Sequence, residues 1–181
     1  MKLILFNKPY NVMCQFSTHE TRPTLANYLS IPKIYPAGRL DADSEGLVLL
    51  TDDGQLQHKI SHPHWKETKT YLVQVEGIPS KEQLVQLSQP LHLGDFTTLP
   101  CKVLHIQEPT WLWERNPPIR KRNTLPTSWL CIYLTEGKNR QVRRMTAAVG
   151  LPTLRLIRTG IGEFSLETHP LLPSEWMEIK I

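Results

Sequence analysis

Apolar positions in this chain fall into short runs or strict alternation, with helical spacing confined to brief segments. "KLILFNKPYNVM" opens with an apolar run, Leu3 to Phe6, closed by the turn-forming Asn7-Lys8-Pro9, which predicts a strand. "LVLLT" predicts a buried strand, and "DGQLQHKIS" a short helix after a glycine turn. In "KTYLVQVEG" Tyr71, Val73 and Val75 alternate with Leu72 and Gln74, as a strand on a half-buried sheet requires. "TTLPCKVLHIQE", "SWLCIYLTEG" and "LPTLRLIRTGIG" add three further strands. Helical spacing predicts a helix in "TLANYLSIP", capped by Thr24 and stopped by Pro32. A second is expected in "SKEQLVQLSQP", where Ser80 and Gln83 form a capping pair, and a third in "GKNRQVRRMTAAVG" from about Asn139 to Gly150. "YPAGRLDADSEG" reads as an irregular connection, and "LPSEWMEIKI" as an edge strand or docked tail. Strands outnumber helices and follow one another in meanders, so the fold class is α+β with a mixed, mostly antiparallel sheet.

Composition narrows the class. At 181 residues, 40% hydrophobic and 21% charged, the chain suits one sizeable folded core rather than a disordered segment. No apolar run approaches the roughly 18 residues of a membrane span. The three cysteines are far apart and form no C-x-x-C pair, which points to a reducing cytoplasm and away from a disulfide framework. A formal net charge of +4 is modest, so the placement of the cations matters more than their number.

"GRLDADSEGLVLLTDDG" carries Asp41, Asp43 and Glu45 at alternate positions, then Gly46, and resembles a calcium-binding loop. Pro32 and Pro36 oppose the helix that should enter such a loop, "LVLL" is too apolar for its exit, and Asp52 is shorter than the Glu that closes it. A solvated acidic turn accounts for Asp43, Ser44 and Glu45. It accounts less well for Arg39 and Asp41, which flank Leu40 beside a buried strand.

In "EGKNRQVRRM" a run of cations sits where a helix begins, Lys138 just before it and Arg140, Arg143 and Arg144 within its first two turns. Positive charge there opposes the helix dipole, whereas an anionic partner would turn the arrangement to advantage. The basic segment at 108–127, with Arg115, Arg120, Lys121 and Arg122 beside Trp111 and Trp113, repeats the theme. Cations among aromatics suit nucleic acid, the first through phosphates and the second by stacking on exposed bases.

Taken in order, "KPYNV", "GRLDADSEGLVLLTDDG", "KTYLVQVEG" and "EGKNRQVRRMTAAVGLPTLRLIRTGIG" resemble the motifs of bacterial pseudouridine synthases, in the S4-associated subgroup that modifies ribosomal RNA. The resemblance covers nearly the whole chain. It implies the pseudouridine synthase fold, with the active site in a central cleft, and one catalytic domain over 1–181 whose two lobes share a sheet. No N-terminal S4 module is expected, and 108–127 is a basic insertion. The implied reaction needs no cofactor and no metal: the bond from uracil N1 to ribose C1′ breaks, the base turns, and the ring rejoins through C5. The implied partner is 23S ribosomal RNA or a large-subunit assembly intermediate, met by a cytoplasmic monomer that binds no membrane.

By the same resemblance Asp41 is the essential carboxylate, either a nucleophile at C1′ or a base for the 2′ proton. Arg143 is its charge partner, Tyr71 stacks on the target base, and Arg39 helps extrude the nucleotide. Lys8, Lys138, Arg140, Arg144, Arg115, Arg120 and Arg122 are the expected RNA contacts. Leu154 is a candidate to pack on the reacting ring. Ser44 stands where the family commonly has Thr, and Asp52 where Asn is common. His58, His62 and His64 lie close together but have no cysteine nearby, and polar surface or an RNA-facing edge explains them better than a metal. The alternatives are a non-catalytic RNA-binding or ribosome-assembly protein that uses the same cations, and the same chemistry on a different structured RNA.

Overall fold

In a computed structural model, which describes residues 1–65 and 67–181, the N-terminal apolar run forms strand β1, Leu3–Lys8. The chain continues through β2 (Tyr35–Ala37), β3 (Glu45–Thr51), α1 (Gly54–Ser61), β4 (Lys69–Glu76), α2 (Lys81–Ser88) and β5 (Lys102–Ile106). It ends with β6 (Thr127–Leu134), α3 (Gln141–Ala148), β7 (Thr153–Ile161), β8 (Phe164–Ser165) and β9 (Trp176–Ile179). It divides into two units, Met1–Lys66 with Arg158–Ile181, and Glu67–Ile157. Among the described residues no helix is long and apolar enough to cross a membrane.

In the first unit the sheet runs β7-β3-β1-β9, with β2 on β3 and β8 on β7. Every residue of β3 is buried, as a central strand covered on both faces must be. β1 pairs with it antiparallel, Leu3 opposite Thr51 and Lys8 opposite Gly46. Ile4, Phe6, Val48 and Leu50 project into a core with Leu25, Leu29, Ile34 and Leu40. Leu40 therefore anchors the segment that carries Asp41. Gly46 has φ +111, and a Cβ there would lie 2.2 Å from the Arg158 carbonyl oxygen. Only glycine lets β7 come this close to the start of β3.

In the second unit the order is β5-β6-β4-β7. β4 and β6 pair antiparallel from Lys69 opposite Leu134 to Glu76 opposite Thr127. Alternation sends Tyr71, Val73 and Val75 to one face, where they pack with Leu130, Ile132 and Leu156 and with Val142 and Met145 of α3. Leu72, Trp129, Cys131 and Ile157 occupy the other face, covered by Leu112 and Trp113 of the 108–127 segment. Both faces are thus buried, and the half-buried sheet expected from the alternation of β4 is covered on its second side by that insertion.

Three local expectations are corrected. "TLANYLSIP" holds only a 3-10 turn, Leu25–Asn27. Thr24 and Asn27 close a reciprocal cap across it, and a lone turn has too few hydrogen bonds to propagate as an α-helix. The "irregular" connection contains β2, with Pro36 opposite Leu50. Such a strand tolerates proline at a sheet edge but is illegible from propensity. Helix α3 begins at Gln141 with Arg140 as its cap residue, in the left-handed conformation and without a side-chain capping bond, so Asn139 is not the cap. The C-terminal segment is an edge strand, β9, paired antiparallel with β1 from Leu3 opposite Ile179 to Phe6 opposite Trp176.

Candidate active site

Asp41 is exposed at the tip of the loop between β2 and β3, and the loop's backbone is held from beneath. The Ser44 N–H donates to the Asp41 carbonyl at 3.0 Å and closes the turn, and the Asn11 N–H donates to the Ala42 carbonyl at 2.7 Å. Ser44 and Glu45 are buried where the chain enters β3. Arg39 is exposed two residues before Asp41.

Lys8 is fully buried, so the expected RNA contact is corrected. Its Nζ donates to the carbonyls of Pro9 and Val12, each at 2.9 Å, and to that of Ala42 at 3.4 Å. Burial lowers its pKa to about 8; the neighbouring Cys14, Glu45 and Asp43 offset part of that effect, and Arg158 adds to it. An ammonium with no exposed surface cannot meet a phosphate. Its work is to tie the end of β1 to the loop beside Asp41.

Arg158 approaches the same loop from β7. It is 3% exposed, and its Nε donates to the Leu47 carbonyl at 2.9 Å. Nη1 and Nη2 reach the carbonyls of Arg39 and Gly38, each at 3.4 Å. The sequence reading missed this residue. The available signal was an arginine inside the apolar strand "LRLIRTGIG", since arginine is almost never fully buried unless its donors are met. Asp52, flagged as an extra negative charge, accepts the Lys2 N–H at 2.6 Å, which lowers its pKa. Asp53 caps α1 through the N–H groups of Gln55 and Leu56.

The second unit holds Tyr71 and Arg143. Tyr71 is 9% exposed and packs against Val142 and Met145, so β4 and α3 are brought together around it. Leu156, and not the half-buried Leu154, shares that cluster. Arg143 is half-buried on the first turn of α3, with a buried Nε. The entry to the helix is built by Gln141, 3% exposed. Its Oε1 accepts the Lys138 N–H at 3.1 Å, and its Nε2 donates to Glu136 at 2.6 Å. Lys138 and Arg140 are exposed there.

Arg144 is directed elsewhere. It pairs with Asp95 at 2.5 Å, donates to the Leu93 carbonyl at 2.7 Å, and lies 5.0 Å from the centre of the Phe96 ring. That ion pair lowers the pKa of Asp95 and raises that of Arg144. In the 108–127 segment Arg115 donates to the carbonyls of Pro117 and Pro118, while Arg120, Lys121 and Arg122 are exposed. Because Leu112 and Trp113 pack on the face opposite Tyr71, the segment is rooted away from the Tyr71 side of its sheet.

The rings of His62 and His64 stack with centres 5.0 Å apart, and His58 lies tilted against His62 at 5.2 Å. Among the described residues no three His, Cys, Asp or Glu side chains converge as a metal site.

Comparison with known proteins adds to this geometry. A family model described as RNA pseudouridylate synthase matches residues 2–148. Ribosomal large subunit pseudouridine synthase E of Vibrio vulnificus is 53% identical over 180 residues, 99% of this chain and 76% of that protein. The protein of the same name in Xanthomonas campestris pv. campestris is 53% identical over 176 residues, 96% of this chain and 93% of its own length. A solved pseudouridylate synthase superimposes with a TM-score of 0.80 at 28% identity, covering 99% of this chain and 70% of that one.

Proposed function

The chain belongs to the RNA pseudouridylate synthase family, and from that premise we propose that it isomerises a uridine of 23S ribosomal RNA with Asp41 as the essential carboxylate. The N1–C1′ bond breaks, uracil turns, and a C5–C1′ bond forms. C5 gives up its proton and N1 ends bearing one, so the reaction is redox-neutral and calls for no cofactor. Asp41 acts either on C1′ as a nucleophile or on the 2′ position as a base. The observation that carries this reading is an exposed carboxylate on a loop whose backbone is fixed by buried groups, the arrangement that places a reacting group without loss on binding.

Arg143 is the cation that keeps Asp41 ionised under a packed base, since a guanidinium stays charged at any working pH. Tyr71 supplies the face on which the flipped uracil rests, worth about 1–3 kcal/mol and comparable to the cost of unstacking the base. Arg39 acts on the nucleotide beside it. Phosphates are met by Lys138, Arg140, Arg120 and Arg122, with Arg144 and Arg115 contributing less because carbonyls and Asp95 already engage them. The substrate is the free RNA or a large-subunit assembly intermediate, and the enzyme acts in the cytoplasm as a monomer.

Carbodiimide mapping with primer extension on large-subunit RNA and on assembly particles tests this. A new stop at one uridine is expected with the natural protein and none with Asp41→Asn, which should still bind RNA. Equal binding and no stop with either protein would replace the reading with that of a non-catalytic RNA-binding protein.

A further inference from the structure

We infer that Arg158 is a positioning residue for the reaction, fixing the loop that carries Asp41 by gripping its backbone on both sides. The inference rests on the role proposed for Asp41. Gly38 and Arg39 lie just before that residue and Leu47 lies after it, and one guanidinium reaches all three carbonyls. The fork geometry allows this: five N–H donors fixed in one plane on three nitrogens reach acceptors that lie apart, whereas the three donors of a lysine radiate from a single nitrogen.

The rest of the loop is built around the grip. The Gly38 N–H donates to Ser61 Oγ at 3.2 Å, so the peptides on either side of this residue are held, one by Ser61 and the next by Arg158. Gly46 has no side chain where β7 presses against β3, and this lets Arg158 sit beneath the loop. Leu40 is locked in the core, leaving Asp41 as the exposed residue beyond a restrained stretch. Lys8 and the Asn11 N–H hold the far side at Ala42.

Displacing a reacting group by about 1 Å costs on the order of 100-fold in rate, so loosening the grip acts on turnover rather than on RNA binding. Arg158→Lys keeps the charge but loses the fork. It is expected to lower kcat about 100-fold, with KM changed by less than about three-fold. Ser61→Ala, at an exposed position that does not threaten the core, loosens the neighbouring peptide and is expected to lower kcat by roughly three-fold to ten-fold.

Arg155→Lys is the control, because Arg155 is also buried on β7 and donates to the Trp113 carbonyl of the 108–127 segment. Its kcat at saturating RNA should match the natural protein even where its melting temperature falls. Hydrogen exchange supplies a readout independent of turnover: amides of residues 38–45 exchange faster in Arg158→Lys and in Ser61→Ala, and not in Arg155→Lys. Unchanged exchange in this stretch overturns the inference, and so does a kcat within two-fold of natural in a folded Arg158→Lys. If Arg158→Lys does not fold, Ser61→Ala decides alone by the same two readouts. Natural protein and Asp41→Asn run alongside: no turnover by either rejects the isomerase reading and leaves the grip to be judged by exchange.

Discussion

Lys8 shows how a side chain's role can be reversed by burial. In the sequence it is a cation in a basic protein, and phosphate is the obvious partner. In the fold it is an ammonium without exposed surface, held by three carbonyls and facing Glu45 and Asp43. Its pKa falls from 10.5 to about 8, so between those values the folded protein binds fewer protons than the unfolded chain. Stability contributed through this group therefore rises with pH across that window, by roughly 3 kcal/mol in total. Lys8→Met removes this dependence, although it also orphans carbonyls and lowers the baseline. Urea unfolding of both proteins from pH 7 to 10 is expected to show the natural protein gaining on the variant as pH rises. Parallel curves would reject the buried-ammonium account.

At the scale of elements, helix α3 was legible in kind but not in its start. Its apolar positions Val142 and Met145 are spaced for a core face and do pack there with Tyr71. Its first turn is set by Gln141 reaching Glu136 five residues before it, and by a contact that no local pattern encodes, Arg144 reaching Asp95 and Leu93 some 50 residues earlier. Two arginines that look equivalent in "NRQVRR" thus do different work. Arg144→Ala is expected to lower the melting temperature, on the order of 2 °C, because the brace to the Leu93–Phe96 segment is lost. Arg140→Ala is expected to flatten the salt dependence of RNA binding by about 0.7 in log–log slope, one phosphate contact on a single strand. Thermal melting and binding titrations over a salt series check both.

Over the whole molecule, the net charge of +4 is too small to hold RNA by a general field, so binding depends on local groups of cations. One group, Lys138 and Arg140, is exposed at the start of α3. Another, Arg120, Lys121 and Arg122, is exposed on the 108–127 segment, which is rooted on the sheet face opposite Tyr71. The second group is therefore assigned to RNA flanking the target nucleotide. Replacing those three residues with Ala should raise KM, flatten the salt slope by about 2, and leave kcat at saturating RNA unaltered. Nitrocellulose binding over a salt series, with saturation kinetics, gives each quantity. A fall in kcat with unchanged KM would place this segment at the reacting nucleotide instead.

The sequence by itself determined the α+β class, most of the strands, the capped helix α2, and the family, because these depend on local periodicity and on motifs preserved as strings of residues. It also singled out Asp41, Tyr71 and Arg143. Only the tertiary structure decided what surrounds them. A side chain's exposure and hydrogen-bond partners depend on segments far apart in the chain: Ala42 lies 34 residues from Lys8, and Gly38 lies 120 from Arg158. In a string of letters Lys8 looks like a cation that faces solvent, and Arg158 is marked only by its place in an apolar strand. Packing buried both, and a buried cation must find acceptors; among those found are the carbonyls of Gly38, Arg39 and Ala42, in the loop that presents Asp41.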